Sequence, residues 1–135
     1  MLQLKKLLGN ISQVAKIANL CGDSLKIYSG NDDQILPILS LGGIGVISVL
    51  SNIMPEYTSN IVHSFFDGNI DKSIKLQIDA IPLINALFCE VNPIPVKAGL
   101  NEMNFNVGIP RLPLVELTCM NKEKLFREMR KFNIL

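Results

Sequence analysis

Leu41-Gly42-Gly43-Ile44-Gly45-Val46-Ile47-Ser48-Val49-Leu50-Ser51-Asn52 is the stretch on which the fold turns. Its centre, Val46 to Leu50, is short, β-branched and uncharged, the pattern of a strand covered on both faces as parallel strands in α/β proteins are. The chain before it reads as strand and helix in alternation; the chain after it reads as helix. The stretch therefore predicts the last parallel strand of an α/β layer, where the chain leaves a sheet for a helical appendage.

Two competing readings fail on local chemistry. From Gln34 to Pro55 there is no charged residue, a run long enough for a helix to cross a hydrocarbon core of about 30 Å. Pro37, Gly42, Gly43, Gly45 and Asn52 break that run into a short helix, a glycine turn and a strand, which argues against a membrane span. The Gly-Gly-Ile-Gly pattern has the look of a dinucleotide fingerprint, but these glycines precede a strand instead of joining a strand to a helix.

The remaining chain extends the same grammar. Leu2 to Leu8 fits either a short strand or a helix start. Asn10 and Gln13 form a capping-box pattern ahead of Ile11, Val14, Ile17, Ala18 and Cys21, which recur at helical spacing until Gly22. Leu25 to Ser29 reads as a strand, and Gly30-Asn31-Asp32-Asp33 as a turn whose acids cap a short helix over Ile35 to Leu41. In parallel α/β sheets ligands bind at the carboxyl ends of strands, here Ser29 to Asp33 and Ser48 to Asn52. Pro55 suits the first turn of a helix ending at Gly68. Ile70, Ile74, Ile78, Ile81, Ile84 and Phe88 then fall on one apolar stripe of a longer helix, with a bend expected at Pro82. Asn92-Pro93-Ile94-Pro95-Val96-Lys97 enters a helix ending near Asn104, Gly108 to Pro113 forms a rigid loop, and a charged helix spans about Asn121 to Phe132.

Composition narrows the function classes. The chain has 135 residues, 13 basic against 12 acidic, for a net charge of +1, so nothing electrostatic calls for nucleic acid or an anionic membrane. Its hydrophobic content of 48% is high for a short chain and predicts apolar surface that needs a further partner or segment to cover it. Cys21, Cys89 and Cys119 are odd in number and far apart, which indicates neither a disulfide frame nor a metal site and fits reduced thiols in a cytoplasm. The N-terminus lacks an export layout. His63 stands without an acid or thiol at ligand spacing, and helix capping accounts for Asp32 and Asp33 as well as acid–base work does. Lys5 is of a residue type that forms imines with carbonyl substrates. The residues alone support a cytoplasmic α/β piece with a helical tail.

Tyr28-Ser29-Gly30-Asn31-Asp32, Gly42 to Val49 and Asn92 to Lys97, with the loop Arg111-Leu112-Pro113, together resemble the carboxyl half of the dihydrodipicolinate synthase family, from about Gly9 to Leu135. Asn92 to Lys97 favours this family over the related N-acetylneuraminate lyases and keto-deoxy sugar aldolases. The resemblance implies a partial (β/α)8 barrel, its last three βα units over residues 1–67, followed by a C-terminal helical domain over 68–135. It implies a Schiff-base lyase that joins pyruvate to aspartate semialdehyde on the diaminopimelate route to lysine, without metal or cofactor. Lys5 occupies the column of the imine-forming lysine. Ile47 falls where a backbone contact to pyruvate is made, and Gly30 on the neighbouring strand end faces the same pocket. Ile11 and Leu41 fall at the weaker subunit contact of a tetramer, so a homo-oligomer, or docking with a separate amino-terminal half, is expected.

The chain departs from the family pattern at two places. The Gly-Thr-Thr-Gly-Glu loop and the proton-relaying tyrosines are absent, and a full barrel takes roughly 250 residues. Around Lys5 the family's Ile-Lys-Glu-Ala-Ser-Gly-Asn becomes Leu4-Lys5-Lys6-Leu7-Leu8-Gly9-Asn10. Codons permitted for Met1 to Gly9 spell Val-Ala-Ile-Lys-Glu-Ala-Ser-Gly when read from the third base. The expectation is a frame interruption near the Gly9 codon and little activity in the chain alone; the nucleotide sequence tests it.

Overall fold

The computed structural model describes residues 2–6 and 9–135. Strand β1 (Leu2–Lys6), helix α1 (Ile11–Cys21), strand β2 (Leu25–Ser29), helix α2 (Ile35–Ser40) and strand β3 (Gly45–Val46) come first in chain order. The three strands form one parallel sheet in the order β1-β2-β3. Helices α3 (Pro55–Phe66), α4 (Ile70–Leu87), α5 (Ile94–Glu102) and α6 (Cys119–Lys131) follow. The ambiguous N-terminal stretch is thus strand over Leu2–Lys6. The rest of that stretch, Leu7 and Leu8, and Met1 of the alternative frame lie outside the described residues.

Local signals set most helix starts. The Asn10 side chain accepts the Gln13 backbone N–H at 3.2 Å, satisfying one of the donors a helix start leaves open. Pro55 sits in the first turn of α3, where a missing N–H costs nothing. Pro37 is tolerated in α2 for the same reason. The last helix starts at Cys119, two residues before the expected Asn121.

The organising stretch corrects its own expectation. Only Gly45 and Val46 form strand, with bonds from Ile44 N to Ile27 O at 2.9 Å and from Ile47 N to Ser29 O at 2.8 Å extending the pairing. Beyond Ile47 the chain leaves the sheet into a 3-10 turn at Leu50–Asn52. The cause is Asp32, whose carboxylate accepts the Val49 N–H at 3.0 Å and the Leu50 N–H at 2.9 Å. Those amides turn toward a carboxylate instead of a neighbouring strand. Asp32 therefore does not cap α2 as expected; the Leu36 N–H goes instead to Gln77 Oε1, at 3.3 Å.

By contact grouping the chain forms two compact units, one running to Asp79 and one from Ala80 to Leu135. In the first, Val14, Ile27 and Ile38 form a core cluster, and Ile35, Leu39 and Ile61 form another. Each such burial contributes about 1.5–3 kcal/mol. The division falls inside α4 because that helix's first half is bonded to the sheet layer: Ser73 Oγ donates to Ile61 O at 2.7 Å, and Gln77 Nε2 to Asp32 O at 2.9 Å. These bonds also decide which face of α4 turns inward. Ser73, Gln77, Ala80, Ile84 and Leu87 are buried, whereas Ile70, Ile74, Ile78 and Phe88 of the expected apolar stripe are exposed. Bonded polar side chains have taken interior places, and Ile70, Ile74 and Ile78 of the stripe face outward.

In the second unit α5 packs against α6. Glu90 accepts from Thr118 N (3.2 Å), Thr118 Oγ1 (2.6 Å) and Asn121 Nδ2 (2.8 Å), supplying the N-terminal cap that Thr118 lacks. Those bonds, Asn121 first, hold the Glu90 carboxyl below the usual carboxylate range. Glu128 bridges Lys131 at 2.7 Å and Arg127 at 3.3 Å. Among the described residues no helix is long and apolar enough to cross a membrane.

Candidate functional site

Alternation along the strands sorts the sheet residues onto two faces. The register pairs Lys5 with Tyr28 and Tyr28 with Gly45, and residues two apart on a strand share a face. Lys5, Tyr28, Gly30, Gly45 and Ile47 thus lie on one side, with Leu4, Ile27, Ser29 and Val46 on the other. The second side is the covered one: Ile27 packs with Val14 and Ile38, and Val46 packs against the Ile35, Leu39 and Ile61 cluster. The first side is the more open, with Lys5 exposed and Ile47 48% exposed, Tyr28 half-buried, and Gly30 and Gly45 buried.

Each of the three residues singled out in the sequence has a distinct place on the open face. Lys5 stands one position before the end of β1. Gly30 is the first residue after β2 and is buried. Ile47 is the first after β3, its N–H bonded to Ser29 O. The sheet brings all three to one face near its carboxyl edge. A primary amine beside an ordered peptide edge can add to a carbonyl compound whose polar groups the peptides receive.

Two further residues on this edge have a place that the sequence reading did not give them. Tyr28 stands between Lys5 and Gly45, and a Cβ on Gly45 would come within 3.3 Å of its ring, so the glycine leaves room for the tyrosine. Its spacing of two from Gly30 on a strand was the available signal. Asp32 was seen as a cap or an acid, but its work is to join the ends of β2 and β3. The loop between is braced further by Ser29 Oγ, which donates to Asn31 O at 2.7 Å and accepts the Asn31 N–H at 3.3 Å.

Beside the sheet, at the free edge of β3, lies a cleft of about 290 Å³ lined by residues including Tyr28, Gly45, Val46, Ser48, Thr58 and His63. His63 is exposed on its wall, and no acid or thiol lines the cleft with it. Among the described residues no group of three His, Cys, Asp or Glu could hold a metal ion. The Asn92–Lys97 motif is structural: Lys97 Nζ donates to Ile109 O at 2.9 Å and Asn101 Nδ2 to Gly108 O at 3.0 Å, tying down the following loop.

Comparison with known proteins identifies a family. A family model described as the dihydrodipicolinate synthetase family matches residues 1–131. A 4-hydroxy-tetrahydrodipicolinate synthase from Caldicellulosiruptor saccharolyticus is 56% identical over 131 residues, which cover 97% of this chain and 44% of that protein. One from Clostridium perfringens is 58% identical over 118 residues, 87% of this chain and 40% of that protein. Among solved structures, a dihydrodipicolinate synthase from Thermotoga maritima superposes with a TM-score of 0.94 at 36% identity, covering all of this chain and 47% of that one. The chain spans less than half the length of these relatives.

Proposed function

The chain belongs to the dihydrodipicolinate synthetase family, and from that premise we propose that it forms the imine-lysine side of a 4-hydroxy-tetrahydrodipicolinate synthase active site. Residues 1–67 would supply the last three βα units of a (β/α)8 barrel, and residues 68–135 the C-terminal helical domain. The Lys5 amine adds to the keto carbon of pyruvate and water leaves, giving an imine. Once protonated, the imine draws electrons from the methyl carbon, which loses a proton and becomes an enamine carbon able to bond to the aldehyde carbon of aspartate semialdehyde. Ile47 and Gly30 receive pyruvate through their peptide groups. Neither metal nor cofactor enters these steps. The place of action is the cytoplasm, on the diaminopimelate route to lysine.

The observation that carries the reading is that Lys5, Tyr28, Gly30, Gly45 and Ile47 share one face of the sheet, on which Lys5 and Ile47 are exposed. A pocket bounded by three strands on one side is unfinished, so the chain by itself has little activity and needs the preceding strands of the barrel. A second reading is favoured by the free edge of β3 and the cleft beside it: a non-catalytic module that docks with a separate amino-terminal half-barrel or with a copy of itself. Self-association would use the face bearing Ile11 and Leu41.

Pyruvate followed by borohydride, read by mass spectrometry, tests both. The chain is treated alone and together with the amino-terminal portion of the Caldicellulosiruptor saccharolyticus relative. A reduced adduct on Lys5 in the pair, lost in Lys5→Ala, is expected. A pair that assembles without any adduct favours the module, and turnover of aspartate semialdehyde by the 135-residue chain alone overturns the dependence on a partner.

A further inference from the structure

We propose that Asp32 is a positioning residue for the candidate site, its carboxylate holding the chain beyond β3 so that the Ile47 peptide stays aligned with the face that carries Lys5. The inference rests on the reading above, that this face receives pyruvate.

Ile47 is anchored on its amino side by its N–H bond to Ser29 O at 2.8 Å. On its carboxyl side the next anchors are the Val49 and Leu50 amides, both donating to Asp32 Oδ2. Only Ser48 lies between, and its Oγ accepts the Ser51 N–H at 2.8 Å, which winds the same turn. The freedom of the Ile47 carbonyl is therefore set by how firmly Asp32 holds the two amides. Asp32 is itself fastened: it is 1% exposed, and its carbonyl accepts from Gln77 Nε2, a side chain on a residue 5% exposed.

Stability is a weak reason for this residue. Its second oxygen, Oδ1, is buried with no hydrogen-bond partner among the described residues. A buried carboxylate with half its acceptor capacity unused costs desolvation that an apolar side chain of similar size avoids. What an apolar residue cannot do is hold two successive amides at the end of a strand. The observation that singles out Asp32 is thus the combination of full burial, an idle oxygen and two bonds directed at the segment next to Ile47.

The test uses the pair described above. Asp32→Asn keeps one acceptor oxygen and Asp32→Ala keeps none. The pyruvate KM is expected to rise about 3-fold in the first and about 30-fold in the second, with kcat within about 2-fold, the range for losing hydrogen bonds from a charged acceptor. In the chain alone, hydrogen exchange at the Val49 and Leu50 amides is expected to quicken in the same order, a readout that Asp32→Asn supplies even where Asp32→Ala does not fold. An unchanged pyruvate KM beside a lowered Tm in both variants would mean a purely structural residue and overturns the inference alone. If the unsubstituted pair forms no pyruvate adduct, the proposed function falls and this inference falls with it.

Discussion

The two faces of the sheet are made by the same strands from alternate residues, yet they have opposite fates. On one, Ile27 of β2 is 3% exposed, packed under Val14 of α1 and Ile38 of α2. On the other, one residue further along each strand, Lys5 is exposed and Ile47 is 48% exposed. Strand propensity alone does not separate them, since Tyr28 and Ile47 on one face and Ile27 and Val46 on the other all favour strands. What separates them is whether a helix of the same chain lies above. Parallel sheets are normally buried on both sides; among the described residues the less covered face is the one that holds the Lys5 amine and the strand-end peptides. On the proposed function, stability and chemistry fall to alternate residues and can be perturbed apart.

The sharpest test of that division is Ile38→Ala against Ile47→Ala. Ile38 is fully buried, and its truncation is expected to cost about 2–5 kcal/mol, a large part of a domain's usual margin of about 5–15 kcal/mol. Ile47→Ala is expected to change stability by less than about 0.5 kcal/mol. Urea unfolding of both in one buffer reads the contrast, and equal midpoints would abolish it.

The glycines give a smaller version of the same contrast. A Cβ on Gly43 would meet Ile38 Cγ2 at 2.6 Å and Ile38 O at 2.7 Å, backbone that cannot give way. Gly43→Ala is therefore expected to cost about 1–3 kcal/mol. A Cβ on Gly45 would meet only the Tyr28 ring, at 3.3 Å, and the ring can swing over the open face, so Gly45→Ala is expected to shift the urea midpoint less. A reversed order would mean that the open face is the tighter one.

The smallest effect lies in the second unit and sets a reference that touches neither face. Lys131 first, then Arg127, holds the Glu128 carboxyl below its ordinary value of 4.5. A carboxyl held down in the folded chain stabilises it above the unfolded value and loses that contribution as pH falls through the folded one. Glu128→Gln should therefore lower stability at neutral pH and flatten its decline below about pH 4.5. The change is expected to stay under about 1 kcal/mol, because both cationic partners reach into solvent. Thermal unfolding across acid pH reads it, and an unaltered slope rejects the assignment.

Alternation of strand and helix, the Asn10 cap, Pro55 at a helix start and the run of later helices were all determined by the sequence itself, since they follow from backbone hydrogen bonding within a few residues. So was the family, through the stretches at residues 28–32, 42–49 and 92–97. Only the tertiary structure decided that β3 stops at Val46, that Ile70, Ile74 and Ile78 of α4 face outward, and that Tyr28 joins Lys5 and Ile47 on one face. The reason is the reach of the bonds involved: Asp32 holds an amide 18 residues away, and Gln77 bonds to Asp32 across 45. Local periodicity tells which residues share a face, but which face is buried depends on partners that only the folded chain brings together.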